Sequence, residues 1–450
     1  MARYNFNLKN KELIDDRCSP AVYAYNMAQN LALLSNEPFV IRRFYQEHVN
    51  KYFKDTWLIN EANSKFLAQS IHGQAFAYFG IIPMIVKAKI NLIALNGFVC
   101  KSSDEEIGKI LNEMIDEAGL LQKFCEGVYW ESGIGDVAFR VSYSPEVSDK
   151  PVIDIIKPQH LEVEYECGKI KSFVIKKASE DDPSYELREI HYKDEEGYVN
   201  IDYRFAIDCK YVSPNDEVKI KECREKFPQN TNTKSLRLPL KDFLVIFKKN
   251  DNANQLYNGE RGVPDIQGLA EIEDALSESM SDLIDAIRKG GIKEFVSDKM
   301  IPQDENGNEV CPNRFNKTVV TAKGSYSPAE CSALWNVVQG NINWEAYTKA
   351  IQNLMSVAIN KAGLSPTTLG LTGIESINSS VESETEKPSM RTRAIALNGW
   401  RKTLKELFNR YLQVCDYIDG KEINDYSNLI NITFNDYTDP AAEDSGNRHA

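Results

Sequence analysis

The feature that most constrains this chain is a pair of apolar runs at helical spacing, separated by an insert. The first is Ile266, Leu269, Ile272, Leu276, Met280, Leu283, Ile284 and Ile287; the second is Trp344, Tyr347, Ile351, Leu354, Met355 and Ala358. Three-and-four spacing places each run on one face of a helix. Pro264 suits a first helical position, where its missing N–H would have had no partner, and Gly290-Gly291 closes the far end. The first helix is therefore expected from Pro264 to Gly290, roughly 39 Å long at ~1.5 Å per residue. The second is expected to start after Asn343, a good N-cap, and to stop at Gly363. Two long helices bracketing residues 291–342 predict a stalk with a tip.

The other face of the first helix carries Asp265, Glu271, Asp274, Glu278, Asp282 and Asp285, with Arg288 and Lys289 only in the last turn, where the helix dipole favours cations. A strongly acidic exposed face is expected. The whole chain of 450 residues has a net charge of −13, which argues against nucleic-acid binding through a broad basic surface. A pore through which DNA slides is compatible with such a charge.

At this length two to four substructures are expected. The nine cysteines include no C-x-x-C pair and read as reduced thiols, and the five histidines form no H-x-x-x-H pair. No metal or cofactor is expected. The N-terminal MARYNFNLKNKELIDD lacks the apolar core of a signal peptide, and the most apolar stretch, Ile81 to Leu95, is broken by Pro83, Lys87 and Lys89. No membrane role is expected.

Residues 1–36 read as a polar arm. Residues 38–95 are mostly helical in pattern, and Ser103 with Glu106 reads as a capping box opening a helix with the stripe Ile107, Ile110, Leu111 and Met114. A further helix over Leu120 to Trp130 precedes a turn at Gly133-Ile134-Gly135. The period then becomes that of strands, at Ala138–Ser142, Val152–Ile156, Leu161–Tyr165, Ile170–Lys177, Tyr185–Tyr192 and Val199–Ile207. Lys249 to Val263 is expected as a loop. Within the insert, Lys293–Ile301 and Lys317–Lys323 read as strands and Ser327–Gln339 as a short helix. Residues 364–379, LSPTTLGLTGIESINS, form a small-residue loop. A third long helix follows with Leu397, Trp400, Leu404, Leu407, Phe408, Tyr411, Cys415 and Ile418, and a kink is expected near Glu384 to Pro388.

No nucleotide-binding loop is present: Gly133-Ile134-Gly135 lacks the third glycine of G-x-G-x-x-G, and no Gly-Lys pair sits in a P-loop frame. Asp304-Glu305-Asn306-Gly307 is better placed for a type I′ turn than for a calcium loop, since its glycine comes two residues early and the twelfth-place glutamate is missing. The acidic row on the first helix suits a solvated face or a pore lining; two-metal chemistry is the competing use of such carboxylates. Arg391, Arg393, Arg401, Lys402, Lys405 and Arg410 make the third helix basic, either as a solvated face with local ion pairs or as a surface for an acidic helix of a neighbouring subunit.

Four passages in order, LLQKFCEGVYWESGIGDVAFRV, GVPDIQGLAEIEDALSESMSDLIDAIRKG, WEAYTKAIQNLMSVAINKAGLSPTTLGLTG and SSVESETEKPSMRTRAIALNGWRKTLKELF, resemble the portal proteins of tailed bacteriophages, specifically the siphophage-type family. The likeness covers most of residues 37–435. It implies an α+β portal fold: a wing over 37–263, helical then β-rich; stem helices over 264–290 and 343–363; a small α/β clip over 291–342; a tunnel loop over 364–379; and a kinked wing helix over 380–420. Residues 421–450 would return toward a crown that is absent or cut short.

The same resemblance implies a ring, usually of twelve subunits, at one capsid vertex. It would pass double-stranded DNA during packaging and ejection. Its partners would be itself, the major capsid protein, the terminase and a head–tail adaptor. The channel lining would include Thr372, Gly373, Glu375, Ser376 and Asn378 of the tunnel loop, with Asp274, Glu278, Asp282 and Asp285 on the stem. Clip docking would use Asn306, Gly307 and Lys317. No enzymatic activity is expected; the alternatives are a metal-dependent packaging nuclease or a head–tail adaptor.

Overall fold

A computed structural model of the chain describes residues 20–48, 77–227, 235–250, 260–290, 293–297, 319–322, 336–338, 340, 342–371 and 387–435. It opens with helices α1 (Pro20–Leu34), α2 (Pro38–His48) and α3 (Ile81–Ile93), strand β1 (Phe98–Ser102), and helices α4 (Glu105–Glu117) and α5 (Leu120–Ile134). Strands β2 (Asp136–Ser142), β3 (Val152–Ile156), β4 (Leu161–Glu166), β5 (Lys169–Ala178), β6 (Tyr185–Lys193), β7 (Val199–Ile207) and β8 (Lys210–Tyr211) follow. After them come helix α6 (Glu217–Lys226), strands β9 (Leu236–Arg237) and β10 (Val245–Lys249), and helix α7 (Ala270–Gly290). Strands β11 (Lys293–Ser297), β12 (Val319–Ala322) and β13 (Asn336–Val338) precede helices α8 (Trp344–Lys361) and α9 (Lys387–Ile418) and strand β14 (Ile430–Phe434). The fold is mixed α and β. It divides into one unit of Met1–His48, Ile81–Ala270 and Ile359–Ala450, and a second of Val49–Gly80 and Glu271–Ala358.

The first unit is organised on α9. Its expected stripe is inside: Leu397, Trp400, Leu404, Leu407, Phe408 and Tyr411 are all buried. Trp400 meets Phe124 of α5 edge-on at 4.9 Å between ring centroids and Phe139 of β2 at 6.0 Å. Gly127 makes the room, because a Cβ there would lie 2.6 Å from the Trp400 ring. Burying side chains of this size stabilises by roughly 1.5–3 kcal/mol each. Strand β14 pairs antiparallel with β1, Phe98 opposite Phe434, and their inward residues Phe98, Cys100, Ile430, Ile432 and Phe434 are buried.

Two further sheets carry the β-rich region. One has the order β10-β2-β3; the other runs β4-β5-β6-β7-β8, with β9 also on β7. Alternation explains them: on β7, Val199, Ile201 and Phe205 are buried, with half-buried or exposed residues between. The two sheets share a core of Ala138, Ile156, Leu161, Phe173, Ile175 and Val245.

In the second unit β11 lies between β12, to which it is parallel, and β13, to which it is antiparallel. At the base of this sheet Gly290 and Gly340 meet: a Cβ on Gly340 would lie 3.1 Å from the Gly290 α-carbon, and one on Gly290 would lie 2.3 Å from Ile342.

Several expectations are corrected. The first stalk helix begins at Ala270, not Pro264; Pro264 to Leu269 form two tight turns, Gln267 N–H to Pro264 C=O and Leu269 N–H to Ile266 C=O, with Gly268 left-handed at φ 71°. Pro264 stands at the first position of a turn instead of the first position of the helix, its carbonyl accepting from Gln267 N–H. The cap of α4 is Asp104 rather than Ser103, accepting from the N–H groups of Glu106 and Ile107, and Ile110 is exposed. Gly133 belongs to α5, against Leu34, and only Gly135 ends the helix. The stretch read as a helix through Gln339 contains strand β13 instead, held by β11. The polar arm contains α1, whose Leu33 and Leu34 are buried. Pro388 stands in the first turn of α9, where it removes no hydrogen bond; the residues before Lys387, on which the expected kink mostly falls, lie outside the described residues.

Candidate functional site

The acidic stem face can be built from α7 upward. Asp274, Asp282 and Asp285 are half-buried and Glu278 is exposed. None of the three aspartates is without an interaction partner. Asp265, grouped with them by sequence, is not on the helix and pairs with buried Lys89 at 2.8 Å. Among the described residues no cluster of histidine, cysteine, aspartate or glutamate is placed to hold a metal ion.

The buried line of α7 is more polar than its apolar spacing suggests: Glu273, Leu276, Ser277 and Ser281 are buried, Met280, Leu283 and Ile284 half-buried, and Ile287 exposed. The polar members receive an extended segment. Ser281 Oγ accepts the Ala77 amide at 2.9 Å, Ser277 Oγ the Phe79 amide at 3.1 Å, and Glu273 Oε1 the Gly80 amide at 2.7 Å. Ser281 in turn donates to the Ser277 carbonyl at 2.8 Å. Four helical residues advance ~6 Å and two extended residues ~6.6 Å, so the first two bonds fall in step. Burial, then the charges of Glu273 and Asp274, push the Tyr78 hydroxyl far above its ordinary pKa.

On α8, Ile351, Met355 and Ala358 are buried as expected, while Trp344 is 59% exposed and Val357 50% exposed. Leu364 N–H closes on Ile359 C=O, and Gly363, left-handed at φ 70°, ends the helix. Of residues 364–379 only those to 371 are described. Thr372, Gly373, Glu375, Ser376 and Asn378 lie outside the described residues, as do Asn306, Gly307 and Lys317.

The basic residues of α9 are partly committed inside the first unit. Arg393 donates to the carbonyls of Leu92 and Asn435, Arg401 to that of Ile432, and Arg410 pairs with Asp242 at 3.3 Å. Arg391 and Lys402 remain exposed.

Sequence reasoning missed a buried ionic knot where α5 gives way to β2. Asp136 accepts a two-bonded fork from Arg261, Nε and Nη2 each at 2.8 Å, and Arg261 also donates to Leu161 C=O and Tyr23 Oη. Glu131 pairs with Lys248 at 2.7 Å. Asp265 holds Lys89, Ser132 Oγ at 3.0 Å and Asn250 Nδ2 at 3.0 Å. Burial pushes the Glu131 and Asp136 carboxyls up, against the pull of Lys248 and Arg261. Gly135 and Gly262 cross within this knot, since a Cβ on Gly262 would lie 1.7 Å from the Gly135 oxygen. With every charge matched and enclosed, the knot fixes geometry. The only sequence signal for it was the presence of charges inside otherwise apolar runs.

No helix among the described residues is long and apolar enough to cross a membrane. No family model matches the chain, and no curated protein matches it. Among solved structures it is similar to a chain from the neck of an empty GTA particle computed with C6 symmetry, at 10% identity and a TM-score of 0.41, covering 86% of this chain and 88% of that one.

Proposed function

We propose that this chain is a portal protein of the tailed-bacteriophage type, forming a ring that conducts double-stranded DNA and docks packaging and tail components. The observation that carries the reading is the second unit: α7, a small three-stranded sheet pinched at Gly290 and Gly340, and α8 returning. This order supports reading α7 and α8 as stem helices around a clip, with α9 after them as the wing helix. Half-buried apolar residues on α7 and exposed Trp344 and Val357 on α8 support packing against further copies.

In this reading Asp274, Glu278, Asp282 and Asp285 line the channel below a tunnel loop carrying Thr372, Gly373, Glu375, Ser376 and Asn378. A lining without cations touches phosphate without gripping it. The clip, with Asn306, Gly307 and Lys317, receives the terminase and later the adaptor, and the wing meets the major capsid protein. Packaging energy comes from a separate ATPase.

Negative-stain images of the purified protein test the proposal. Rings of about twelve copies are the expected result, and Trp344→Glu should lower their yield. Monomers or dimers alone at micromolar concentration across several salt conditions would overturn it, and Mg²⁺-dependent cleavage of DNA would favour the nuclease. Glu375→Lys or Asn378→Lys should leave ring assembly intact and reduce the DNA packaged or retained per capsid.

A further inference from the structure

Where the three-stranded sheet meets the six-stranded one, the first unit encloses a cleft of about 870 Å³. Half of its lining residues are aliphatic, with Val141, Ile155, Ile175, Leu187, Ile201 and Leu238 among them. Basic residues also line it, namely Arg140, Lys157, Lys176, Lys177, His160 and His191, against a single lining carboxylate, Glu189. A concave, largely apolar space of this size with a few polar groups is the form that small-molecule sites take.

The polar groups inside are unevenly used. Glu189 Oε2 takes Arg140 Nη1 at 2.6 Å and its Oε1 meets His191 Nε2 at 2.7 Å, while Arg140 Nη2 reaches Asp154 at 2.8 Å. Both Glu189 oxygens are thus engaged within the cluster. Two buried atoms are left with no hydrogen-bond partner, Arg140 Nε and His191 Nδ1, and the His191 side chain is 0% exposed. Arg140 Nε–H can only donate, so the atom that satisfies it is an acceptor, and buried donors are rarely left unpaired.

We propose that this cleft binds an anionic amphiphile, a molecule with an apolar body of roughly a dozen carbons and one carboxylate or comparable oxyanion. The aliphatic walls take the body, an oxygen of the head accepts from Arg140 Nε, and the lysines of the lining set the sign of the charge. Lys176 is already paired with Glu162 and Lys157 lies over the Trp130 ring, which leaves Lys177, exposed on β5, as the most available of the three. The proposal is independent of the ring reading.

Dodecanoate, dodecanol and dodecyltrimethylammonium, each kept below its micelle concentration, would be titrated calorimetrically into the full chain, with stoichiometry read by native mass spectrometry. Dodecanoate should bind once per chain, at least about tenfold more tightly than either of the others. The exposed pair Lys157→Glu with Lys177→Glu should weaken it by about tenfold. Ile201→Trp, which fills the cleft, should abolish binding while the circular dichroism spectrum is unchanged; should that variant not fold, the lysine pair decides. Equal affinity for all three probes, several molecules per chain, or binding undiminished by the lysine pair would overturn the proposal.

Discussion

The Gly80 amide donates to the Glu273 carboxylate at 2.7 Å, at a position where that carboxylate is fully buried on α7. An extended segment is thereby fixed to a helix by side-chain acceptors at positions 273, 277 and 281. Glu273→Ala should strip that amide of its acceptor and cost about 1.5–3 kcal/mol, and Ser277→Ala or Ser281→Ala about 1 kcal/mol each. Hydrogen exchange is the direct check: the amides of Ala77, Phe79 and Gly80 should lose protection individually, each with its own partner. Unchanged exchange at Gly80 in Glu273→Ala would mean the bond does not hold the segment.

A second expectation concerns the base of the small sheet. Gly290→Ala places a methyl group against Ile342 and should destabilise by about 1–3 kcal/mol, as overpacking does. Because the obstacle is a side chain and not backbone, Ile342→Ala in the same molecule should recover part of the loss. A double-mutant cycle on urea midpoints measures the coupling, and strict additivity would count against the contact.

The Glu189 cluster predicts a pH dependence. Burial alone would raise the Glu189 carboxyl, but the hydrogen bond from His191 and the Arg140 charge outweigh it and hold it below the ordinary value of 4.5. Folded Glu189 therefore binds its proton less tightly than the unfolded chain does. Its contribution is complete above that ordinary value and fades as pH falls through the folded one. Glu189→Gln should be less stable than the parent by about 1–3 kcal/mol at neutral pH, with the gap narrowing below about pH 4. Denaturation midpoints across that range test this; a gap that stays constant would refute it.

Thiol labelling gives a fourth check. Cys167 and Cys209 are exposed at strand turns, whereas Cys100 and Cys223 are buried. Burial pushes the Cys100 thiol up to about 11, and the Cys223 thiol is raised for the same reason. Iodoacetamide followed by peptide mapping should modify Cys167 and Cys209 in the folded protein and reach Cys100 and Cys223 only after denaturation.

How far the fold could be read in advance depended on the reach of the interactions that set it. The strands from Val152 to Ile207 and the buried stripe of α9 were legible because alternation and three-and-four spacing are local records of which face is inside. The start of α7 was not, because a proline that opens a turn and one that opens a helix look alike until Gly268 is seen in the left-handed region. Strand β13 carries apolar residues that also suit a helix, and only its pairing with β11 decides between them. The expected acidic face failed at Asp265 for the same reason, since its partner Lys89 is far away in sequence. The knot around Asp136 joins residues whose partners lie far away in sequence, and Arg140 reaches Glu189 from a different strand; only the Glu189 and His191 pair, two apart on β6, is local.

The crossing of Gly135 and Gly262 has a consequence for synthesis of the chain. The Gly262 amide reaches the Asp136 carboxylate across 126 positions, and Asn250 donates to the Gly135 oxygen at 2.8 Å. The β-rich stretch thus begins and ends at one doorway within the first unit, whose two jambs are glycines because nothing larger fits. A nascent chain cannot shut that doorway until Gly262 has cleared the ribosome, so α5 must wait with Glu131 and Asp136 lacking their cations while the whole stretch emerges. Once shut, the stretch has adjoining ends, and transplanting it into another chain would require matching that gap together with the faces on which Trp400 and Arg410 of α9 meet Phe139 and Asp242.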